Sequence, residues 1–84
     1  MSKNTIKRDV FKKKYFKIHR EDIEGRKTPI YHIETIDGTI YLGRIKWFPA
    51  WRKYCFFPEE DTIWDVKCLE EINKAIELAK KGKI

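Results

Sequence analysis

Tyr31, Arg44, Lys46, Arg52 and Tyr54 are the residues of this chain whose types and spacing could do the most chemistry. Phenol rings offer flat faces on which nucleic-acid bases stack, at about 1 to 3 kcal/mol per base, while arginine and lysine follow the phosphates. The same side chains anchor protein interfaces, where tyrosine and arginine are enriched. A third reading places Tyr54 in a minor core beside Phe56 and Leu42 and leaves the basic residues facing solvent. Solvent exposure of Arg44, Arg52 and Tyr54 separates the three.

Reactive residues are sparser. His19, His32, Cys55 and Cys68 are four nominal metal ligands, but none are paired at the short C-x2-C or H-x3-H spacing of a zinc site, so no metal is expected. Cys55 and His32, with Glu34 as the nearest acid, could share a sheet face. A nucleophile needs a base within hydrogen-bond reach and a third group to orient it. A packed, inert thiol is the simpler expectation. Glu59-Glu60-Asp61 lacks the alternating ligands of a calcium loop, and no glycine-rich phosphate loop or Ser/His/Asp arrangement is present. These absences point away from an enzyme and from any cofactor.

Such residues need a scaffold, and 84 residues suffice for one domain. A chain of this size buries about 60% of its unfolded surface, so its core must be rich in large side chains. The 14% aromatic content meets that need, and two cysteines are expected as free thiols. No apolar run approaches the roughly 18 to 20 residues of a membrane span, and no apolar segment follows the basic start as in a signal peptide. A cytoplasmic protein is the expectation. The net charge of +6 is unevenly spread. Residues 1–27 hold ten basic side chains against four acids, and residues 59–84 hold five against seven. The basic front suits a polyanion or an acidic protein surface as partner.

Residues 1–13 carry no clear period and read as a basic N-terminal arm, either mobile or forming one helical turn around Ile6, Val10 and Phe11. A single α+β domain is expected over residues 14–84. Alternation from Tyr15 to His19 suits a strand, and residues 29–36 a second. Asp37-Gly38 predicts a two-residue hairpin turn into a third strand, residues 39–47. Residues 48–50 predict a short turn around Pro49, and residues 51–57 a fourth strand. Leu69, Ile72, Ile76 and Ala79 make one apolar stripe of a helix with Asp65 as N-cap and Gly82 as stop. The expected fold is a four-stranded antiparallel meander with a C-terminal helix packed on one face (ββββα).

The two turns set an expected register. Asp37-Gly38 puts Ile33 opposite Leu42, His32 opposite Gly43 and Tyr31 opposite Arg44; a three-residue turn puts Trp47 opposite Trp51 and Arg44 opposite Tyr54. One face then carries Ile30, Tyr41, Gly43, Ile45, Trp47, Trp51, Cys55 and Phe57, where the helix is expected to lie over Gly43 and Cys55. The other carries Ile33, Leu42, Phe56 and the Tyr31/Arg44/Lys46/Arg52/Tyr54 set. A one-residue change in turn length exchanges these faces.

The run Leu42-Gly43-x-Ile45-x-Trp47-x-x-x-Trp51-Arg52-x-Tyr54-x-Phe56-Phe57-Pro58, followed by Cys68-Leu69-x-x-Ile72, resembles a pattern in small uncharacterised proteins of phages and other mobile elements. It covers about the last half of the chain and carries no known activity or functional residue. The resemblance implies a small binder of host machinery or of nucleic acid. Two expectations of different class stand: a non-enzymatic module that binds a host protein, and a nucleic-acid-binding protein using the same face and the basic arm. An exposed sheet edge would also permit a dimer.

Overall fold

The computed structural model describes residues 5–84. Five strands, β1 (Thr5–Lys12), β2 (Phe16–Ile23), β3 (Ile30–Thr35), β4 (Tyr41–Phe48) and β5 (Lys53–Pro58), precede a helix, α1 (Val66–Lys80). They form one antiparallel sheet in the order β1-β2-β3-β4-β5, each strand pairing with its sequence neighbours. The fold is α+β, with five strands rather than the four expected.

The extra strand comes from residues assigned to the arm. The register of β1 against β2 shifts between Asp9 and Phe11, a bulge at Val10. Val10 and Phe11 both pack against the core, although they are adjacent in sequence. Two neighbouring inward residues erase the period of two that marks a strand. The remainder of the arm, residues 1–4, lies outside the described residues. Tyr15 stands in the turn before β2, 68% exposed, rather than in a strand.

A second bulge decides the faces. The chain leaves the Asp37-Gly38 turn in the expected register, with Glu34 opposite Tyr41. Leu42 is then an extra residue, so Ile33 faces Gly43, His32 faces Arg44 and Tyr31 faces Ile45. The turn itself is wider than two residues: Thr35 N–H donates to the Ile40 carbonyl at 3.0 Å, Gly38 N–H to the Thr35 carbonyl at 2.8 Å, and only Gly38 takes positive φ (+77°). Asp37 holds the loop by accepting from the Thr35 and Thr39 hydroxyls and the Thr39 N–H. Those bonds lower its pKa to about 2.

Between β4 and β5 the expected three-residue turn is replaced by a longer one. Phe48 pairs with Lys53, leaving residues 49–52 as the loop, with Arg52 at φ 52°. The register moves by an odd number of residues, so β5 turns over relative to β4. Tyr54 now faces Trp47 and Phe56 faces Ile45, while Cys55 faces Lys46 and Phe57 faces Arg44.

The covered face therefore carries Phe16, Ile18, Tyr31, Ile33 and Ile45, all buried, with Tyr54 and Phe56 packed beside them. Each fully buried aliphatic side chain contributes about 1.5 to 3 kcal/mol. The helix sits on this face through Ile72, Ala75 and Ala79, and the two alanines admit close approach. Ile76 is half-buried, while Leu69, expected to point inward, is 45% exposed. Trp64, just before the helix, packs edge-on against Phe16 at 6.4 Å and Phe56 at 4.9 Å, tying β2 to β5. Asp65 caps the helix by accepting from Cys68 N–H at 2.8 Å. At the other end Gly82 takes φ +72° and Lys83 N–H returns to the Leu78 carbonyl at 2.8 Å.

Candidate functional site

Among the described residues no helix lies over the opposite face of the sheet, whose side chains follow from the period of two. Arg44 and Lys46 flank the buried Ile45, so both emerge on the open face. From β5, Phe57 and Cys55 stand opposite them. The Lys46 ammonium lies 5.1 Å and the Arg44 guanidinium 6.0 Å from the centre of the Phe57 ring. Phe48 meets Phe57 edge-on at 6.0 Å and Trp51 at 5.1 Å. Trp51 is 66% exposed. Arg52 and Lys53 are exposed beside it, at the loop and the start of β5. Arg44 has one acidic neighbour, Glu59, at 4.0 Å. This half of the face is aromatic and basic.

The other half is polar and internally paired. His19 and His32 are directly opposed on β2 and β3, and their rings stack at 5.1 Å. His32 Nε2 lies 2.7 Å from Glu21 Oε1 and its Nδ1 2.5 Å from the Tyr41 hydroxyl. His19 Nδ1 lies 3.5 Å from Glu34, which Lys17 approaches to 3.8 Å; Lys7 stands 3.8 Å from Glu21. Burial, and then the neighbouring His32, lower the pKa of His19. Burial raises the Tyr41 phenol, against the pull of Arg44. One cross-strand row, Asp9, His19, His32, Arg44 and Phe57, joins the two halves from β1 to β5.

Of the five residues singled out from sequence, the structure brings Arg44 and Lys46 together on the open face and puts Arg52 at its rim. Tyr31 and Tyr54 lie on the other side. Tyr31 is 1% exposed, and its hydroxyl donates to the Ile84 carbonyl at 2.9 Å. Tyr54 packs edge-on against Tyr31 at 6.1 Å and Trp47 at 5.4 Å. The rings that do accompany the basic residues are Phe48, Trp51 and Phe57. The His19/Glu21 and His32/Glu34 pairs, which were not among those five, are i, i+2 repeats on adjacent strands, and that spacing is their signal in the sequence.

The remaining sites are weaker. Among the described residues no three His, Cys, Asp or Glu side chains converge as metal ligands would. The Cys55 thiol contacts the Lys53 carbonyl at 3.8 Å, and both cysteines are free and half-buried. An open cleft of about 540 Å3 lies between the β1–β2 turn and the start of α1, lined by Lys13, Tyr15, Cys68 and Glu71 among others. Lys13 and Glu71 pair there at 3.2 Å, and the other charged residues of the lining are balanced, Lys14 and Lys67 against Asp65 and Glu70. Among the described residues no helix is long and apolar enough to cross a membrane.

Comparison with known proteins gives one informative likeness. The chain is 36% identical over 70 residues to an uncharacterised 9.3 kDa protein of Acholeplasma phage L2, an alignment covering 81% of this chain and 87% of the phage protein. The chain belongs to the family of that phage protein. No protein-family model matches the chain. No solved structure matches it. This family context comes with no assigned activity, so function must be argued from the open face.

Proposed function

We propose that this chain is a small non-enzymatic binding module, encoded by a phage or related mobile element, that acts in the host cytoplasm by docking the helix-free face of its sheet onto a host protein. The observation that carries this reading is the grouping of Arg44, Lys46, Phe57, Phe48 and the exposed Trp51 on one side of β4 and β5. Tryptophan and arginine standing together on a rigid surface are the usual energetic anchors of a protein interface. The β1–β3 half supports a protein rather than a nucleic-acid partner. Glu21 and Glu34 are built into it and would lie under any phosphate chain crossing the sheet. A partner with an acidic patch opposite β4–β5 and mixed polarity elsewhere fits both halves.

The test is capture of a specific host protein by the wild-type chain, compared with Trp51→Ala and Arg44→Ala variants. Both side chains lie outside the core, so each variant should keep the wild-type circular dichroism while losing the captured partner. Retained capture by both variants would refute the assignment of this face. Binding to single-stranded or duplex DNA or RNA, with log K falling linearly against log salt, would replace a protein partner with a nucleic acid.

A further inference from the structure

We infer that β5 is a self-pairing edge, through which two copies of this chain join their sheets about a two-fold axis perpendicular to the sheet. In the order β1-β2-β3-β4-β5 the two outer strands each have one unpaired edge. Glu59 N–H donates to the Leu42 carbonyl at 3.1 Å, in phase with the β4–β5 register. The alternation of antiparallel bonds then turns the N–H groups of Lys53, Cys55 and Phe57 toward β4. Those of Tyr54 and Phe56 point outward, and the missing N–H of Pro58 falls on the same outer side. Among the described residues no other backbone group bonds to Tyr54 or Phe56 from that side.

What selects a second copy is the charge order along the strand. The segment reads basic, apolar, acidic: Lys53, then residues 54–58, then Glu59. Placing Phe56 on the two-fold axis sets Lys53 opposite Glu59 of the second copy, and by symmetry the reverse. Both side chains belong to the open face, as Phe48 opposite Lys53 and Arg44 beside Glu59 show, so the opposed charges meet on one side of the joined sheet. The backbone supplies about four bonds: two between the Phe56 pair and two from Tyr54 N–H to the Pro58 carbonyl. In that arrangement the N–H that Pro58 lacks costs only the reciprocal bonds. The other edge cannot pair this way. β1 is interrupted by its Val10 bulge, and its charged residues are three basic, Lys7, Arg8 and Lys12, against one acid, Asp9, so a second copy meets a strand of net positive charge.

Sedimentation across a concentration series tests the inference, with circular dichroism to confirm folding. The wild-type mass should climb from 10.2 kDa toward twice that value. Lys53→Glu, at an exposed position, turns two attractive contacts into two repulsive ones and should weaken the dimer by roughly tenfold. The double variant Lys53→Glu/Glu59→Lys should restore it. Amide exchange gives an independent reading, since the Tyr54 and Phe56 N–H groups should become protected as dimer forms. A mass fixed at 10.2 kDa at every concentration would overturn the proposal. So would a dimer indifferent to Lys53→Glu, a double variant that stays monomeric, or free exchange at Phe56 in a dimeric sample.

Discussion

Replacing Gly43 by alanine should damage this protein more than any other single added methyl at its glycines. A Cβ at this position would sit 2.7 Å from the Phe57 carbonyl oxygen, 3.0 Å from the Pro58 Cα and 3.1 Å from the Phe56 ring. Two of those three neighbours are backbone, which moves only if the β4–β5 ladder opens. The residue also holds φ +152°, next to the Leu42 bulge. Overpacking of this kind costs about 1 to 3 kcal/mol and backbone strain about 1 to 3 more, so a loss of about 3 kcal/mol or greater is expected. Against the roughly 4 to 13 kcal/mol total of a domain this size, that is a large fraction. Urea unfolding followed by tryptophan fluorescence and circular dichroism measures it. Gly38→Ala is the control, because φ +77° strains alanine there but no atom lies within 4 Å of the new Cβ; about 1 kcal/mol is expected. Equal losses in the two variants, or a loss below about 0.5 kcal/mol for Gly43→Ala, would refute the close-approach argument.

Two further outcomes follow from the core and from the histidines. Tyr31→Phe should cost about 1 kcal/mol, since it removes only the hydroxyl donated to Ile84, whereas Tyr31→Ala should cost about 3 to 5 kcal/mol, both read as shifts in the urea midpoint. The pKa of His19 is lower in the folded protein than its ordinary 6.5, so below that pH the unfolded chain takes up a proton that the folded one refuses. Stability should therefore fall as pH drops through the ordinary histidine range, and His19→Gln should flatten that slope in urea titrations at successive pH values.

What could be read from sequence was whatever depended on unbroken local period. Gly43, Ile45 and Trp47 were placed on the helix face, and Arg44 and Lys46 on the open one, because residues 43–47 alternate without interruption. The helix, its Asp65 cap and its Gly82 stop follow equally local rules. The departures that exchange the sheet faces enter where the register shifts. A bulge at Leu42 moved Tyr31 opposite Ile45 and into the core, and a longer loop at residues 49–52 exchanged Tyr54 for Phe57 on the open face. The bulge at Val10 hid β1 altogether. None of these has a signature in single residues, because each is decided by which register buries more apolar surface. The stacked His19 and His32 depended on the β2–β3 register, and the loop joining those strands carries no two-residue turn signal to fix it.

The order β1-β2-β3-β4-β5 also bears on how quickly the chain finds its fold. Every strand pairs with its sequence neighbour, so the sheet can assemble by zipping hairpins whose closing loops are short and lose little entropy. Sheets whose strands pair out of sequence order must close long loops before any contact rewards them. Here the distant contacts belong to the helical segment: Trp64 on Phe16, and the Ile84 carbonyl on Tyr31 and Arg20. Docking of that segment is then the step that converts a set of local ribbons into a single cooperative unit. The bare face takes no part in it and stays open from the first hairpin to the native state.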